Sequence, residues 1–172
     1  MPAVGDPYDY GRRVTAPKAG SWVAVAVSVV AIISGAVIAI LIQTALEHWV
    51  INYFGSTTTL TLESVVLALL ITFALPFALA GAFGYFLVSV PTVYAPSRQA
   101  AVSYVLLGIV VVRALIGLVA SVGAVVSGGA HWALLPQPNV STVSPLFPLS
   151  MLVAIGAGWK GRLDALAEIR QD

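Results

Sequence analysis

Arg113 is the residue whose chemistry most needs an account. It stands near the middle of a long apolar run, from about Ala100 to Ser127. A central arginine costs at least about 2.5–3.5 kcal/mol on insertion into lipid, so such residues face a bundle interior or a water-filled cavity. The positions three, four, seven, eight and eleven residues further on are Ile116, Gly117, Ala120, Ser121 and Ala124. All but Ile116 are small, as at close helix–helix contacts in lipid. Pro76 suggests a partner. It has no N–H, so the Thr72 carbonyl loses its helical donor. Thr72 and Pro76 lie at about the depth of Arg113, and the guanidinium is expected to bind the freed carbonyl and the Thr72 hydroxyl. Glu47 and Glu63 stand roughly a dozen residues above mid-span, which is too far for a direct ion pair. Three readings of Arg113 remain open: an anion site or gate, an assembly residue paired within the bundle or with a partner subunit, and a side chain that snorkels inward.

Glu47, His48, Glu63 and His131 are expected together on the outer face. Histidine with carboxylate is a metal-binding combination, and two histidines can ligate haem. Their spacing matches no ligand motif, however, and His48-Trp49 and His131-Trp132 also read as plain interfacial anchors. No metal or cofactor is expected. Gly156-Ala157-Gly158-Trp159-Lys160-Gly161 has the form GxGxxG. It ends a membrane helix instead of opening a helix after a strand, so it is expected to be a packing face and not a dinucleotide fingerprint. Asn139-Val140-Ser141 is a glycosylation sequon on the expected outer side. The chain has no HExxH, no phosphate loop and no nucleophile–base pair, and no enzyme activity is expected.

The elements that must position these residues follow from composition. Hydrophobic residues make up 59% of the chain and charged ones 9%, against about 25% charged in a soluble domain. That is too little charge to cover a water-facing surface, and too much hydrophobicity for disorder. Eight basic against seven acidic residues leave no footprint for nucleic acid. With no cysteine, disulfides, thiolate metal sites and cysteine nucleophiles are excluded.

The expected fold is all-α, an integral membrane four-helix bundle. The spans fall at about 22–46, 62–90 (interrupted by Pro76), 100–127 and 143–159. These runs are too long and too uniformly apolar for membrane strands, and helices satisfy their own backbone in lipid. The run after Ser21 is also much longer than the apolar region of a cleaved signal peptide, so it is expected to stay as the first span. Ala80 and Gly84 form a further small-residue packing face.

Orientation follows from the basic residues. Arg12, Arg13 and Lys18 precede the first span, Arg98 lies between the second and third, and Lys160, Arg162 and Arg170 follow the fourth. The connections at 47–61 and 128–142 carry neither Lys nor Arg. Both termini are therefore expected in the cytoplasm, with a tail at 1–20, a membrane domain at 21–160 and an interfacial tail at 161–172. Trp22, Trp49, Trp132 and Trp159 all fall near the implied interfaces.

The function these features favour is a non-catalytic accessory or structural component of a membrane complex, or of a cellular or viral envelope. Its setting would be a prokaryotic or viral plasma membrane or envelope. Its partners would be the lipid bilayer and either other proteins or further copies of itself. Two alternatives are a small oligomeric transporter or channel using Arg113, and a haem- or metal-binding redox subunit using His48 and His131.

Overall fold

The computed structural model describes residues 20–56, 61–96, 98–133 and 140–170. Arg12, Arg13, Lys18 and Asn139 of the sequon lie outside them. The described residues are mostly helical, 85%, in four helices. They are α1 (Trp22–Ser56), α2 (Leu62–Tyr94), α3 (Gln99–Val126) and α4 (Leu146–Ile169). The first three are long and apolar enough to cross a membrane.

The helix limits differ from the sequence expectation in three ways. α1 continues past Leu46 to Ser56, because no helix breaker stands before Gly55 and Gln43 supports Glu47 one turn on with a 2.9 Å side-chain bond. α2 passes through both of its prolines and ends at Tyr94, not at Val90. Around Pro76 it widens into a π segment, Leu70–Ala74, in which the N–H of Leu75 reaches back to the Leu70 carbonyl. Apolar helices tolerate proline through local adjustments of this kind. Finally, α4 is one unbroken helix from Leu146 through Lys160 to Ile169, so the tail expected after residue 160 is not a separate element. Its second half carries Lys160, Arg162, Asp164 and Glu168, and α4 is not among the three helices apolar enough to cross.

The all-α expectation also needs a small correction. His131–Trp132 pairs in parallel with Thr142–Val143, forming a two-stranded ladder over the end of α3. Gly128, at φ 74°, turns the chain out of α3, and the Ala130 N–H bonds back to the Ala124 carbonyl.

The most extensive contact joins α2 and α4, which run in the same direction. Glycines set how close they come. A Cβ on Gly84 would overlap the Ala154 carbonyl, and one on Gly161 would lie 2.6 Å from the Tyr85 carbonyl oxygen. Gly158 and Gly161 of the GxGxxG run therefore serve packing. α3 lies antiparallel on this pair, and Leu87, Val88, Leu106, Leu107, Val110 and Ala154 form the core. α1 packs mainly on α2, with Val29 and Ile32 against that core and Leu46 and Val50 against Ala68 and Ile71. Buried hydroxyls turn back on their own helices. Thr92, for example, donates to the Val88 carbonyl at 2.6 Å.

The outward surface is apolar. Val23, Val27, Val30, Ile38 and Leu41 of α1 are exposed, as are Val105, Val112, Ile116 and Val119 of α3. An apolar surface of this extent is foreign to a water-soluble monomer and suited to a hydrocarbon solvent or a partner.

Candidate functional site

Arg113 projects from the outward part of α3, beside buried Val110 and Ala114. Its guanidinium lies over the Phe83 ring of α2, with Cζ 5.0 Å from the centroid. That is cation–π distance. The expected Thr72 contact is not formed. The Thr72 hydroxyl donates instead to the Ala68 carbonyl at 2.6 Å, on its own helix. Among the described residues Arg113 makes no hydrogen bond and no ion pair.

Arg113 and Pro76 nevertheless share one space. They line an open-sided cleft of about 510 Å³ between α1, α2, α3 and α4. Gly35, Ala36 and Ala39 face it from α1, and Ala80 and Phe83 from α2. Phe147 and Met151 line it from α4. The small side chains leave the space, and no larger group fills it. Three other polar side chains on its wall already have partners. Gln43 Nε2 donates to Glu47 Oε1 at 2.9 Å, Thr44 Oγ1 to the Ile40 carbonyl at 2.9 Å, and Ser150 Oγ to the Phe147 carbonyl at 2.8 Å. A cation without a counter-charge is therefore left on an apolar wall.

Of the small residues beyond Arg113, Gly117 faces inward. A Cβ there would meet the Phe147 ring at 3.3 Å. Ser121 donates to the Gly117 carbonyl, whereas Ala120 is exposed and Ala124 half-buried. The expected packing stripe is thus only partly used within the chain. Ala80 borders the core, and Gly84 makes the α2–α4 contact.

The four outer residues do not form a single centre. Glu47 is tied to Gln43. Glu63 lines a separate recess of about 200 Å³ with Trp49 and Ser64. His48 is exposed on α1, and His131 sits on the strand ladder. Among the described residues, no group of three or more His, Asp or Glu is placed to hold a metal ion.

Sequence reasoning missed a second polar cluster, where Tyr85 meets α4. Asp164 Oδ2 accepts from the Tyr85 hydroxyl at 3.0 Å and from Lys160 Nζ at 2.8 Å. The Lys160 hydrogen bond is the main cause holding the Asp164 carboxyl below its usual value, with the Tyr85 bond second. The same bond raises Lys160. Arg162 stacks nearby, 3.9 Å over the Tyr104 ring and 5.2 Å from Trp159. Its Nε is buried and has no hydrogen-bond partner. The i,i+4 spacing of Lys160 and Asp164 was a legible signal; the arrival of Tyr85 and Tyr104 was not.

No protein-family model matches the chain, and no curated protein or solved structure matches it either.

Proposed function

We propose that this chain is a non-catalytic membrane component, an accessory or structural subunit of a larger complex or of a cellular or viral envelope, with both termini on the cytoplasmic side. One observation carries the reading: Arg113 stands exposed among apolar residues with no counter-charge among the described residues. A charge in that setting is costly alone, so its partner is supplied from outside the chain. The bare apolar faces of α1 and α3 support a life among lipid and partner helices. Orientation rests on Arg98 at the start of α3, on Lys160 and Arg162 in the second half of α4 and on Arg170 at its C-cap, the end at which Arg162 lies over Tyr104 of α3.

Purification from the native membrane in mild detergent tests this. The expected result is a stable set of partner proteins that cross-link to a photoreactive residue at Val112 or Ile116, beside Arg113 on the exposed face. Recovery as a lone homo-oligomer would overturn the accessory role. It would turn attention to the second reading, a small oligomeric transporter or channel, which the open cleft beside Arg113 favours. An anion-flux assay with Arg113→Leu as control would then decide.

A further inference from the structure

The geometry points to the Arg113 cleft as a binding site for a single-chain amphiphile bearing one carboxylate, of the long-chain fatty acid class. This rests on the reading that the charge of Arg113 is met from outside the chain. It does not depend on which complex the chain joins.

Three observations select that ligand. The first is volume. The cleft holds about 510 Å³, within the roughly 300–1,000 Å³ of small-molecule sites. A helix about 10 Å across would exceed it in little more than one turn, so a transmembrane segment could cover the cleft but not lie within it. A methylene takes roughly the volume of a water in the liquid, about 30 Å³. About seventeen such groups therefore fit, which is one long alkyl chain.

The second is lining. Gly35, Ala36, Ala39, Ala80, Phe147 and Met151 offer apolar surface along the cleft. Methionine and small residues there adapt to a flexible chain.

The third is charge. Arg113 is the cation on the wall; the Thr44 and Ser150 hydroxyls donate within the chain, and Gln43 Nε2 gives one of its two N–H groups to Glu47. One guanidinium compensates one negative charge, and its planar fork matches a carboxylate in bidentate fashion. A dianionic phosphate monoester would keep an uncompensated charge against apolar walls. The Phe83 ring 5.0 Å from the Arg113 Cζ holds the guanidinium by a cation–π contact and takes none of its N–H donors in a hydrogen bond.

The test uses the full chain in phosphatidylcholine nanodiscs and palmitate labelled with ¹³C at the carboxyl carbon. The expected result is a second, saturable carboxyl resonance, at one ligand per chain, that stays ionised to lower pH than palmitate dissolved in the bilayer. Arg113→Gln should weaken this binding by about tenfold or more, the loss of a charge-assisted pair. Arg113→Lys keeps the charge and loses the fork, and should bind more weakly than the unaltered protein but more tightly than Arg113→Gln. Ala39→Trp fills the cleft while leaving the charge in place, and should abolish the second resonance. Absence of a saturable resonance in the unaltered protein would overturn the proposal. So would a resonance of the same strength and pH behaviour in Arg113→Gln, or one that persists in Ala39→Trp. Partners that cross-link beside Arg113 while palmitate fails to bind would sink this inference and leave the accessory role standing. Palmitate binding in a protein that purifies alone would do the reverse.

Discussion

The Tyr85 hydroxyl donates to Asp164 at 3.0 Å, and this bond ties the last third of α2 to the charged half of α4. Lys160 shares the same carboxylate oxygen at 2.8 Å, so one acceptor joins α2 to α4 and also closes one turn of α4. The contact lies two to three turns from the Tyr94 end of α2, and it lets a charged helix run beside an apolar one.

This contact predicts a pH dependence of defined sign. The Asp164 carboxyl is held below its ordinary value, chiefly by Lys160 and then by Tyr85. A group lowered in the folded state contributes stability that is fully present above its unfolded value, about 3.9. The contribution fades as pH falls through the folded value. Asp164→Asn should therefore lower the thermal midpoint in detergent at neutral pH, and the gap to the unaltered protein should close below about pH 4. Tyr85→Phe should reproduce part of the loss, and the double variant should lose less than the sum of the two. A gap that widens in acid would contradict the assignment.

The glycine contacts predict opposite outcomes for the same chemical change. Gly84→Ala puts a methyl into the Ala154 carbonyl and must push α2 from α4. Overpacking of this kind costs about 1–3 kcal/mol. Gly108 has nothing within 4 Å of its Cβ position. Gly108→Ala should be neutral or stabilise by up to about 1 kcal/mol, the helix propensity gain. Unfolding in graded denaturing detergent separates the two.

Arg162 should not be replaceable by lysine. Its guanidinium carbon lies 3.9 Å from the Tyr104 ring centroid, a distance at which a planar guanidinium can stack and an ammonium cannot. Arg162→Lys and Tyr104→Leu should each destabilise by about 0.5–2 kcal/mol, while Tyr104→Phe, which keeps the ring, should cost less. Equal losses for Leu and Phe at position 104 would show that the ring face is not what matters.

The cysteine-free sequence allows single-cysteine mapping of the membrane boundary. Ser127→Cys, at the end of α3, should react with an impermeant maleimide added outside cells. Gln99→Cys, at its start, should react only after permeabilisation. Glu168→Cys reports on α4: labelling from inside alone agrees with the proposed orientation, and labelling from outside would reverse the end of the chain.

Much of the fold follows from one-dimensional chemistry. Runs such as Trp22–Leu46 and Ala100–Ser127 are apolar but for a few polar residues, Arg113 foremost, and a backbone that must bond itself away from water becomes helical. Gly84 was recognisable as a packing residue because small side chains are what allow close approach in lipid. The helix limits were less legible. Pro91 has the local character of a terminator, yet α2 continues through it for one more turn, where Pro91 and Thr92 are buried. The residues after Lys160 read as a separate short interfacial helix, yet α4 runs on unbroken, with Gly161 packed against Tyr85 of α2 and Ala165 buried.

The partners of the polar groups were decided by tertiary structure alone. The local sequence offered Arg113 a freed carbonyl at Thr72. The π turn and the Thr72 back-bond to Ala68 reorganised that region, and the guanidinium came to rest over Phe83 instead. Depth along a helix can be counted from sequence, because the rise per residue is constant. The rotation of one helix about its axis relative to another cannot, because it depends on how all the side chains at the contact interlock. That rotation set Phe83 under Arg113, Tyr85 against Asp164 and Tyr104 under Arg162, and it left the cleft beside Arg113 unfilled.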